Sequence, residues 1–362
     1  MAQKFRAPKL HWSLNESVQR VIESLAPIAQ IVLAALAGFA FAHYVLGHAT
    51  PLLSVTVAIA SLGFTRDARP RRIVETALGM VVGIALSEGL LVLMGPGVWQ
   101  MALTLLIALI AGRFISASAA FTITIALQAM LVSIMPVPEG GVWVRSIDGV
   151  IGGVTALIFT AVIPRDPRRA AIRDAAKLFT IFEESLNSLK VALRNVDVKV
   201  VDAALIRVRR SQPLIDNWRL SLDSAIAIAR ISPFLQKYRD ELYGQLRIMR
   251  GMDLATRNLR VVVRRVDFLL LDGKPRPYLA DLIEQIQEGV HMLREALDEP
   301  DAGIQAEQIF AGVIKQLDPK KFGIANQISE ASVLLLLRPM MIDLLCASGM
   351  SEDDARSLLP EI

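Results

Sequence analysis

Arginine and acidic residues three positions apart occur twice in an apolar half of the chain, as Arg72 with Glu75 and as Arg145 with Asp148. A guanidinium group presents a planar fork of donors to a carboxylate, so Arg72 and Arg145 are candidate ligands for an anion. The same spacing also suits an ion pair on one helix face, which is the plainer interpretation. Arg113 is a third anion candidate, although a basic residue flanking an apolar helix explains it equally well.

Glu88 differs from these residues because no Lys or Arg lies three or four positions from it. A carboxyl group inside a membrane is costly and tends to be functional. We therefore predict that Glu88 carries protons, with Asp148 and Glu75 as further candidates for proton coupling. The alternative is a solvated position of Glu88 near the membrane surface.

The sequence contains no motif for a cofactor or for covalent catalysis. It has no GxxxxGK[ST] loop, no GxGxxG after a strand and no nucleophile-base arrangement of Ser, His and Asp. One cysteine excludes a disulfide within the chain, and the histidines are scattered; these residues are Cys346, His11, His43, His48 and His291. We predict no metal, no cofactor and no enzymatic activity.

Six apolar stretches contain or flank the candidate residues, and between Glu23 and Arg66 the chain has no Asp, Glu, Lys or Arg. One Lys or Arg at the bilayer centre costs about 2.5–3.5 kcal/mol, so such a stretch is typical of a membrane segment. We predict six crossings, over residues 27–46, 51–64, 73–94, 98–112, 117–135 and 147–163. The second reaches only about 21 Å against a hydrocarbon core of about 30 Å. It either extends to Arg66 or forms a broken helix at a substrate site.

The third and sixth stretches share a pattern at a separation of 73 positions, which places Gly79 opposite Gly152 and Gly83 opposite Ala156. The second and fifth stretches match as well, residues 55–59 with 123–127. Three crossings in each half is an odd number, so the two halves would be inverted, as in many transporters. Small residues four apart form a flat surface for helix packing; the alternative is a smooth path for a substrate.

Charge divides the chain into parts that face different solvents. Residues 1–164 hold 10 basic and 7 acidic residues, whereas 165–362 hold 29 and 28, a balance unlike that of a nucleic-acid-binding protein. We predict an all-α protein of three parts. They are a cytoplasmic segment 1–26 with an interfacial amphipathic helix, a six-crossing transmembrane domain 27–164 and a cytoplasmic helical domain 165–362.

Basic residues also predict the orientation in the membrane. They concentrate before residue 27, in the loop 65–72, at Arg113 and after residue 164, whereas the opposite loops contain only Arg145. Because cytoplasmic loops are enriched in Lys and Arg, both termini are expected inside the cell.

Helical periodicity continues through the charged half. Helices are expected over 166–194, 198–231, 232–272, 278–297, 302–317 and 324–346, with a last turn after Ser351. One apolar stripe in the first of them predicts a bundle; its residues are Ala175, Leu178, Phe179, Phe182, Leu186, Leu189 and Leu193. Basic clusters at 207–210 and 260–265 are interpreted as solvated faces or as contacts to anionic lipid heads.

These features resemble the fusaric acid resistance and aromatic acid exporter superfamily over about residues 20–165. The resemblance rests on Arg71, Arg72, Thr76, Gly79 and Gly83 after a basic loop, and on Arg145, Asp148 and Gly152 in the last crossing. It implies a six-crossing inner-membrane protein that exports aromatic or other small organic acids at the expense of the proton gradient.

The resemblance also bears on partners. Many members have two membrane domains and this chain has one, which implies a homo-oligomer, with a dimer favoured. The expected partners are therefore a small organic anion, the lipid bilayer and a second copy, without nucleic acid. Two alternatives to a proton-driven exporter stay open: a passive anion channel, and a membrane-anchored scaffold that acts through its cytoplasmic helices.

Overall fold

The computed structural model of the protein describes residues 14–63, 70–136, 141, 143–162 and 167–361. Within those ranges the chain is all-helical and contains no strand, which confirms the all-α prediction. It divides into two compact units, Met1–Arg165 with Arg230–Gln236, and Asp166–Ala229 with Lys237–Ile362. The predicted basic flanks at Lys4, Arg6, Lys9, Arg66, Arg69 and Arg165 lie outside the described residues.

The first unit contains six α-helices and a π-helical turn in its described part. They are α1 (Leu14–Ala40) with the turn Phe41–Val45, α2 (Leu52–Leu62), α3 (Pro70–Met94), α4 (Val98–Ile115), α5 (Ala119–Ile134) and α6 (Val144–Val162). Each of the six predicted crossings thus contains one helix, although the boundaries differ.

The predicted interfacial helix and the first predicted crossing form one continuous helix. Pro27 lies inside α1 rather than at a boundary. No glycine or polar turn separates the two stretches, so nothing in the sequence ends the helix there. Proline removes only one backbone donor, and a helix packed on its neighbours tolerates that loss.

Helix length separates the six helices into two groups. Residues 24–45, α3, α4 and α6 are long and apolar enough to cross a membrane, whereas α2 and α5 are shorter apolar helices. The 11 residues of α2 reach about 16 Å at a rise of 1.5 Å per residue. The short second stretch noted in the sequence is therefore a short helix in the structure.

The helices α3 and α6 pack against each other in opposite directions. A Cβ added to Gly149 would lie 2.9 Å from Ile84, and one added to Gly153 would lie 2.8 Å from Ala77. Residue numbers therefore rise along α6 as they fall along α3, so the two helices are antiparallel. Arg72 and Arg145, each near the start of its helix, lie at opposite ends of this pair.

The second unit is a helical bundle in its described part. Its helices are α7 (Pro167–Asn195), α8 (Val198–Arg209), α9 (Gln212–Ile231), α10 (Arg239–Leu269), α11 (Pro277–Glu295), α12 (Pro300–Ile314), α13 (Ile328–Ser348) and α14 (Glu352–Ser357). The predicted stripe on α7 forms part of the core, because all seven side chains are at most 1% exposed.

Two helix boundaries in the bundle differ from the predictions. The helix expected over 198–231 is broken into α8 and α9, because Pro213 cannot donate the backbone hydrogen bond that would continue α8. The helix expected from Ser232 begins only at Arg239, after a 3₁₀ turn at Gln236–Tyr238.

The composition of α13 suggests a membrane segment, whereas its contacts are with helices of the bundle. Its length and hydropathy would suit a membrane segment, and half of its apolar window is buried, compared with 17% for α4. Its partners are bundle helices: Asn258 of α10 donates to Asp343 at 2.6 Å, and Gly251 of α10 lies against Ala347. We therefore describe α13 as a core helix of the second unit.

Candidate functional site

A cavity of about 1050 Å³ lies in the first unit, against α3, α5 and the turn between α4 and α5. Its polar lining consists of Arg71, Arg72, Glu75, Thr76, Ser116, Ser118 and Thr124. Its apolar wall includes the ring of Phe121. The cavity therefore combines guanidinium and hydroxyl donors with an aromatic surface, the groups that a small aromatic anion would use.

The start of α5 positions Phe121 in this cavity. The Oγ of Ser118 accepts a hydrogen bond from the Phe121 amide at 3.4 Å and so caps the helix. A Cβ at Gly79 would lie 2.7 Å from the Phe121 ring, so the ring reaches this position only because α3 has a glycine there. No sequence pattern points to Phe121, since an aromatic residue in an apolar run acquires a role only through packing.

Glu75, at the mouth of the cavity, accepts a hydrogen bond from Nε of Arg71 at 2.8 Å. The two residues are four positions apart and both are exposed, so the pair contributes only about 0.5 kcal/mol to stability. The sequence suggested Arg72 as the helix partner of Glu75. Arg72 lines the same cavity.

Arg113 lies at the end of α4 and is exposed. Its guanidinium donates to the carbonyl of Ala117 at 2.9 Å. A basic side chain is favourable at this end of a helix because the last carbonyls carry partial negative charge. Arg113 is not among the residues that line the cavity, so the geometry favours the flanking interpretation over a role in binding an anion there.

Arg145 is 5% exposed and interacts with the end of α5. It donates to the carbonyl of Val132 at 3.3 Å and to that of Pro136. Carbonyls at a helix C-terminus have no partner within the helix, and a cation there also favours the helix dipole. The guanidinium of Arg145 therefore caps α5 and uses part of its donor fork for the backbone.

Glu88 caps another helix from its position on α3. Its Oε2 accepts hydrogen bonds from the Ser146 hydroxyl at 2.6 Å and from the Ser146 amide at 3.2 Å, in the first turn of α6. Its Oε1 is buried and has no hydrogen-bond partner among the described residues. Glu88 is 3% exposed, so this side chain is inside the unit rather than at a solvated surface.

Asp148 pairs with a residue that no sequence pattern predicted as its partner. Its Oδ1 lies 2.6 Å from Nδ1 of His48, in the segment between α1 and α2. The side chains are 4% and 14% exposed. His48 is a hundred positions away in a loop, where no periodicity can reveal a contact. The i, i+3 partner suggested by the sequence, Arg145, instead caps α5.

We call His48, Glu88, Arg145, Ser146 and Asp148 the buried cluster. Arg145, Ser146 and Asp148 occupy the first turns of α6. Ser146 donates a hydrogen bond to Glu88, and Asp148 contacts His48. Because α3 and α6 are antiparallel, the cluster and Arg72 lie at opposite ends of the pair. The cavity lining does not include Glu88, Arg145 or Asp148, so the predicted site residues form two groups.

The four predicted packing positions lie at close helix contacts. A Cβ at Gly83 would be 2.5 Å from the Ile125 carbonyl oxygen of α5, and one at Gly152 would be 2.2 Å from that of Ser54 on α2. Ala156, which matches Gly83 in the repeat, is fully buried. The third helix of each half therefore packs its small residues against the second helix of the other half: α3 packs against α5, and α6 packs against α2.

No group of three His, Cys, Asp or Glu residues suited to a metal ion occurs in the described part of the chain. Within it, His48 and Asp148 form a pair of two such residues.

Comparison with known proteins agrees with this architecture. A family model described as "Fusaric acid resistance protein-like" matches residues 33–159. An uncharacterised protein of Corynebacterium glutamicum is 26% identical over 370 residues, which cover 98% of this chain and 93% of that protein. Proteins of Mycobacterium bovis and Mycobacterium tuberculosis named "Putative arylamide transporter" are 28% identical over 155 residues, 41% of this chain and 44% of theirs.

The apolar helices and the family match define a multi-pass membrane protein of a transporter class. Over residues 33–159 the resemblance to the fusaric acid resistance protein-like family is confirmed. The match covers α3, α5 and α6, the helices that carry the cavity and most of the buried cluster. The family match and the relatives named as putative transporters support a role in membrane transport.

Proposed function

We propose that the chain is an inner-membrane exporter of small aromatic carboxylic acids, driven by the proton gradient. The single observation that carries the substrate class is the cavity, in which Arg72, hydroxyl groups and the Phe121 ring share one space. The guanidinium would bind the carboxylate, and the ring would contact the aromatic part of the substrate. A volume of about 1050 Å³ is ample for a single-ring acid.

The proposed topology has six crossings, α1 to α6, with both termini in the cytoplasm and the domain limits expected from the sequence. The cavity mouth carries Arg71 and Arg72, so the positive-inside rule assigns this end of the α3–α6 pair to the cytoplasm. Arg145 and the buried cluster then belong to the external end. Helices α2 and α5 are short, which is typical of helices beside a substrate path.

The proposed oligomer is a homodimer. Helix α4 is apolar, yet only 17% of its window is buried within the chain, and Phe114 is 91% exposed. Either lipid or a second copy would cover such a face. We favour the second copy, which is what the resemblance described above implies.

Proton coupling is proposed for Glu88 and Asp148. Glu88 is buried with one oxygen unpaired in the described structure, which leaves a position where a proton can be held. Glu75 is a weaker candidate because it is exposed and paired with Arg71. A carboxyl group that must exchange a proton across a membrane is expected inside the protein rather than at its rim.

The relatives named as arylamide transporters suggest a different substrate charge. An aryl amide shares the aromatic ring but lacks the carboxylate that Arg72 would bind. Matched compounds separate the two possibilities: 4-hydroxybenzoate and 4-hydroxybenzamide differ only in the group that faces the guanidinium.

The test is accumulation of radiolabelled 4-hydroxybenzoate in proteoliposomes that contain the full chain and a pH gradient. We expect accumulation that an uncoupler abolishes, and competition by unlabelled acid but not by the amide. Arg72→Gln should reduce transport at least tenfold. Arg356→Gln, the same change at an exposed ion pair of α14, is the matched control. Equal transport by the two variants would contradict the role of Arg72, and accumulation of radiolabelled 4-hydroxybenzamide without accumulation of the acid would favour an arylamide substrate.

A passive anion channel is the second candidate, since the cavity and its arginine would serve a channel equally well. A channel would conduct the acid without a pH gradient. The scaffold alternative makes a third prediction, because a scaffold would not move the acid into liposomes that contain only this protein.

A further inference from the structure

The two halves of the repeat place matching residues in different surroundings. Glu75 and Asp148 are equivalent at a separation of 73 positions, and Ser116 and His48 are equivalent at the separation of 68 that relates α2 to α5. Glu75 and Ser116 both line the cavity. Asp148 and His48 are in contact with each other; Asp148 is buried and His48 is half-buried. At one end of the repeat these two positions line the cavity. At the other end the equivalent positions are joined by the contact between Asp148 and His48.

We propose that His48 and Asp148 bind one proton between them and that this protonated pair holds the external end of the substrate path closed. The inference rests on the proposed transport function, because only a transporter requires two ends that open in turn. It adds His48, which no motif suggested, to the residues that couple protons to transport.

The position of the pair explains how it could close the path. His48 lies in the segment that joins α1 to α2, and Asp148 lies in the first turns of α6. The contact therefore ties this segment to α6. One turn deeper, Ser54 of α2 is fully buried and its carbonyl oxygen lies against Gly152 of α6. If the tie is released, we expect water to reach this buried position one turn below the pair.

A proton strengthens the tie because of where the pair lies. With His48 charged, Asp148 has an opposite charge at 2.6 Å. Without that proton, Asp148 is a carboxylate that is only 4% exposed and has lost its charged partner, which is costly unless water reaches it. Histidine is the side chain whose charge changes most readily between pH 5 and 8.

Among the described residues, few other charged or titratable groups lie around the pair. On the π-helical turn after α1, His43 makes a 2.8 Å hydrogen bond through Nδ1 to the His48 carbonyl, and Tyr44 packs edge-on against His43. On α6, Arg145 precedes Asp148 by three positions and caps α5. On α3, one carboxylate oxygen of Glu88 accepts hydrogen bonds from Ser146. Helix α2 has no titratable residue.

The experiment measures how fast a membrane-impermeant maleimide labels Ser54→Cys in a Cys346→Ser background. The full chain is held in lipid nanodiscs, where the reagent reaches both faces, so the result does not depend on the assigned topology or on any substrate. Thr50→Cys, at an exposed position, corrects for the intrinsic reactivity of a thiol at each pH. The quantity compared is the ratio of the two labelling rates.

We expect this ratio to rise at least tenfold between pH 5.5 and pH 8. His48→Lys, whose charge does not change over this range, should keep the ratio low at both pH values. His48→Ala should keep it high at both, which also shows that the reagent can reach the position in a folded chain. A ratio independent of pH in the parent, or unchanged by both substitutions at His48, would overturn the inference. If the acid is transported although the labelling ratio does not behave as expected, the proposed function stands and only the role of the His48–Asp148 pair fails. If the labelling ratio depends on pH as expected but the acid is not transported, the pH-dependent contact stands and the proposed function fails.

Discussion

The starts of α3 and α6 carry the same arginine-acid motif in two different environments. Arg72 and Glu75 are exposed at the mouth of a cavity, whereas Arg145 and Asp148 are at most 5% exposed and bonded to other segments. Sequence symmetry therefore does not imply symmetric chemistry. An open end can admit a substrate, and a closed end prevents leakage, so a transporter that alternates between its two ends needs this difference at any one moment.

The largest expected effects come from the part of the repeat that is symmetric, namely its helix packing. Gly83→Ala and Gly152→Ala each place a Cβ within 2.5 Å of a backbone oxygen, so one helix must move. We expect each to lower the free energy of unfolding by about 3 kcal/mol, at the upper end of the usual cost of overpacking. The measurement is thermal stability of the purified chain in detergent.

Gly89→Ala is the control in the same helix as Gly83, because a Cβ there meets nothing within 4 Å. It should be neutral or stabilise α3 by up to about 1 kcal/mol, since alanine favours a helix over glycine. A large loss in only one of the two packing variants would show that the halves do not pack equivalently.

The second prediction separates the two arginines. Arg145→Gln removes donors from the carbonyls at the end of α5 and should cost about 2 kcal/mol of stability, the usual penalty for buried groups left unpaired. Arg72→Gln should change stability by less than about 0.5 kcal/mol, as expected at an exposed position. Transport should show the reverse order once it is corrected for the amount of folded protein. Equal stability losses would contradict the structural difference between the two ends.

The third prediction concerns Glu88→Gln. The amide keeps an oxygen for Ser146, so only the interaction of a charge with the start of α6 is lost, about 0.3–1 kcal/mol. The same change removes the group that would hold a proton. We expect gradient-driven accumulation of the acid to fail while exchange of labelled for unlabelled acid continues. If both activities fall in proportion to folded protein, Glu88 acts only as a cap.

The prediction with the smallest expected effect compares Arg145 with a buried arginine of the bundle. This residue is Arg276, which is 3% exposed. Arg276 donates to Asp272 at 2.7 Å and to Glu330 at 3.2 Å, and the hydrogen bond from Arg276 lowers the pKa of Asp272 from 3.8 to about 2. The folded pKa is below the unfolded one, so this stabilisation is present above pH 4 and is lost as the pH falls towards 2.

Asp272→Asn should therefore lower stability at pH 7, where the contribution of the ionised Asp272 is fully present, and leave it nearly unchanged at pH 2, so that the variant loses less stability than the parent between pH 4 and pH 2. Unfolding of the full chain, followed by circular dichroism across that range, checks it. Arg145 is held by carbonyls, which do not titrate, so Arg145→Gln should shift stability by the same amount at each pH. A parallel pH profile for Asp272→Asn and the parent would show that the bond to Arg276 has no effect on the titration of Asp272.

Much of the helical architecture could be predicted from local patterns. The absence of charge between Glu23 and Arg66 and the stripe on α7 both led to helices that the structure contains. Boundaries were less predictable where two signals conflicted. Pro27 lies inside α1 and Pro213 ends the predicted long helix, although both are prolines in helical patterns. A proline residue does not by itself reveal whether neighbouring helices compensate for its missing donor.

The candidate site was predicted only in part. Arg72, Glu75, Glu88, Arg145 and Asp148 were found as unusual residues in an apolar background, but their partners were not. Asp148 contacts His48, Glu88 contacts Ser146 and Phe121 faces Gly79, each pair more than forty positions apart. Helical spacing predicts contacts within one helix only. Partners on other helices depend on which helix faces which, and at what depth.

The sequence by itself determined that this protein has a membrane part of apolar helices, a repeat within it and a charged helical part, because hydropathy and periodicity are properties of each segment alone. The tertiary structure decided that one arginine-acid motif lines a cavity while its counterpart is buried against α5 and His48. The physical reason is that burial and charge pairing are set by the packing of helices from both halves, and matching motifs acquire different surroundings when that packing buries one of them and leaves the other exposed.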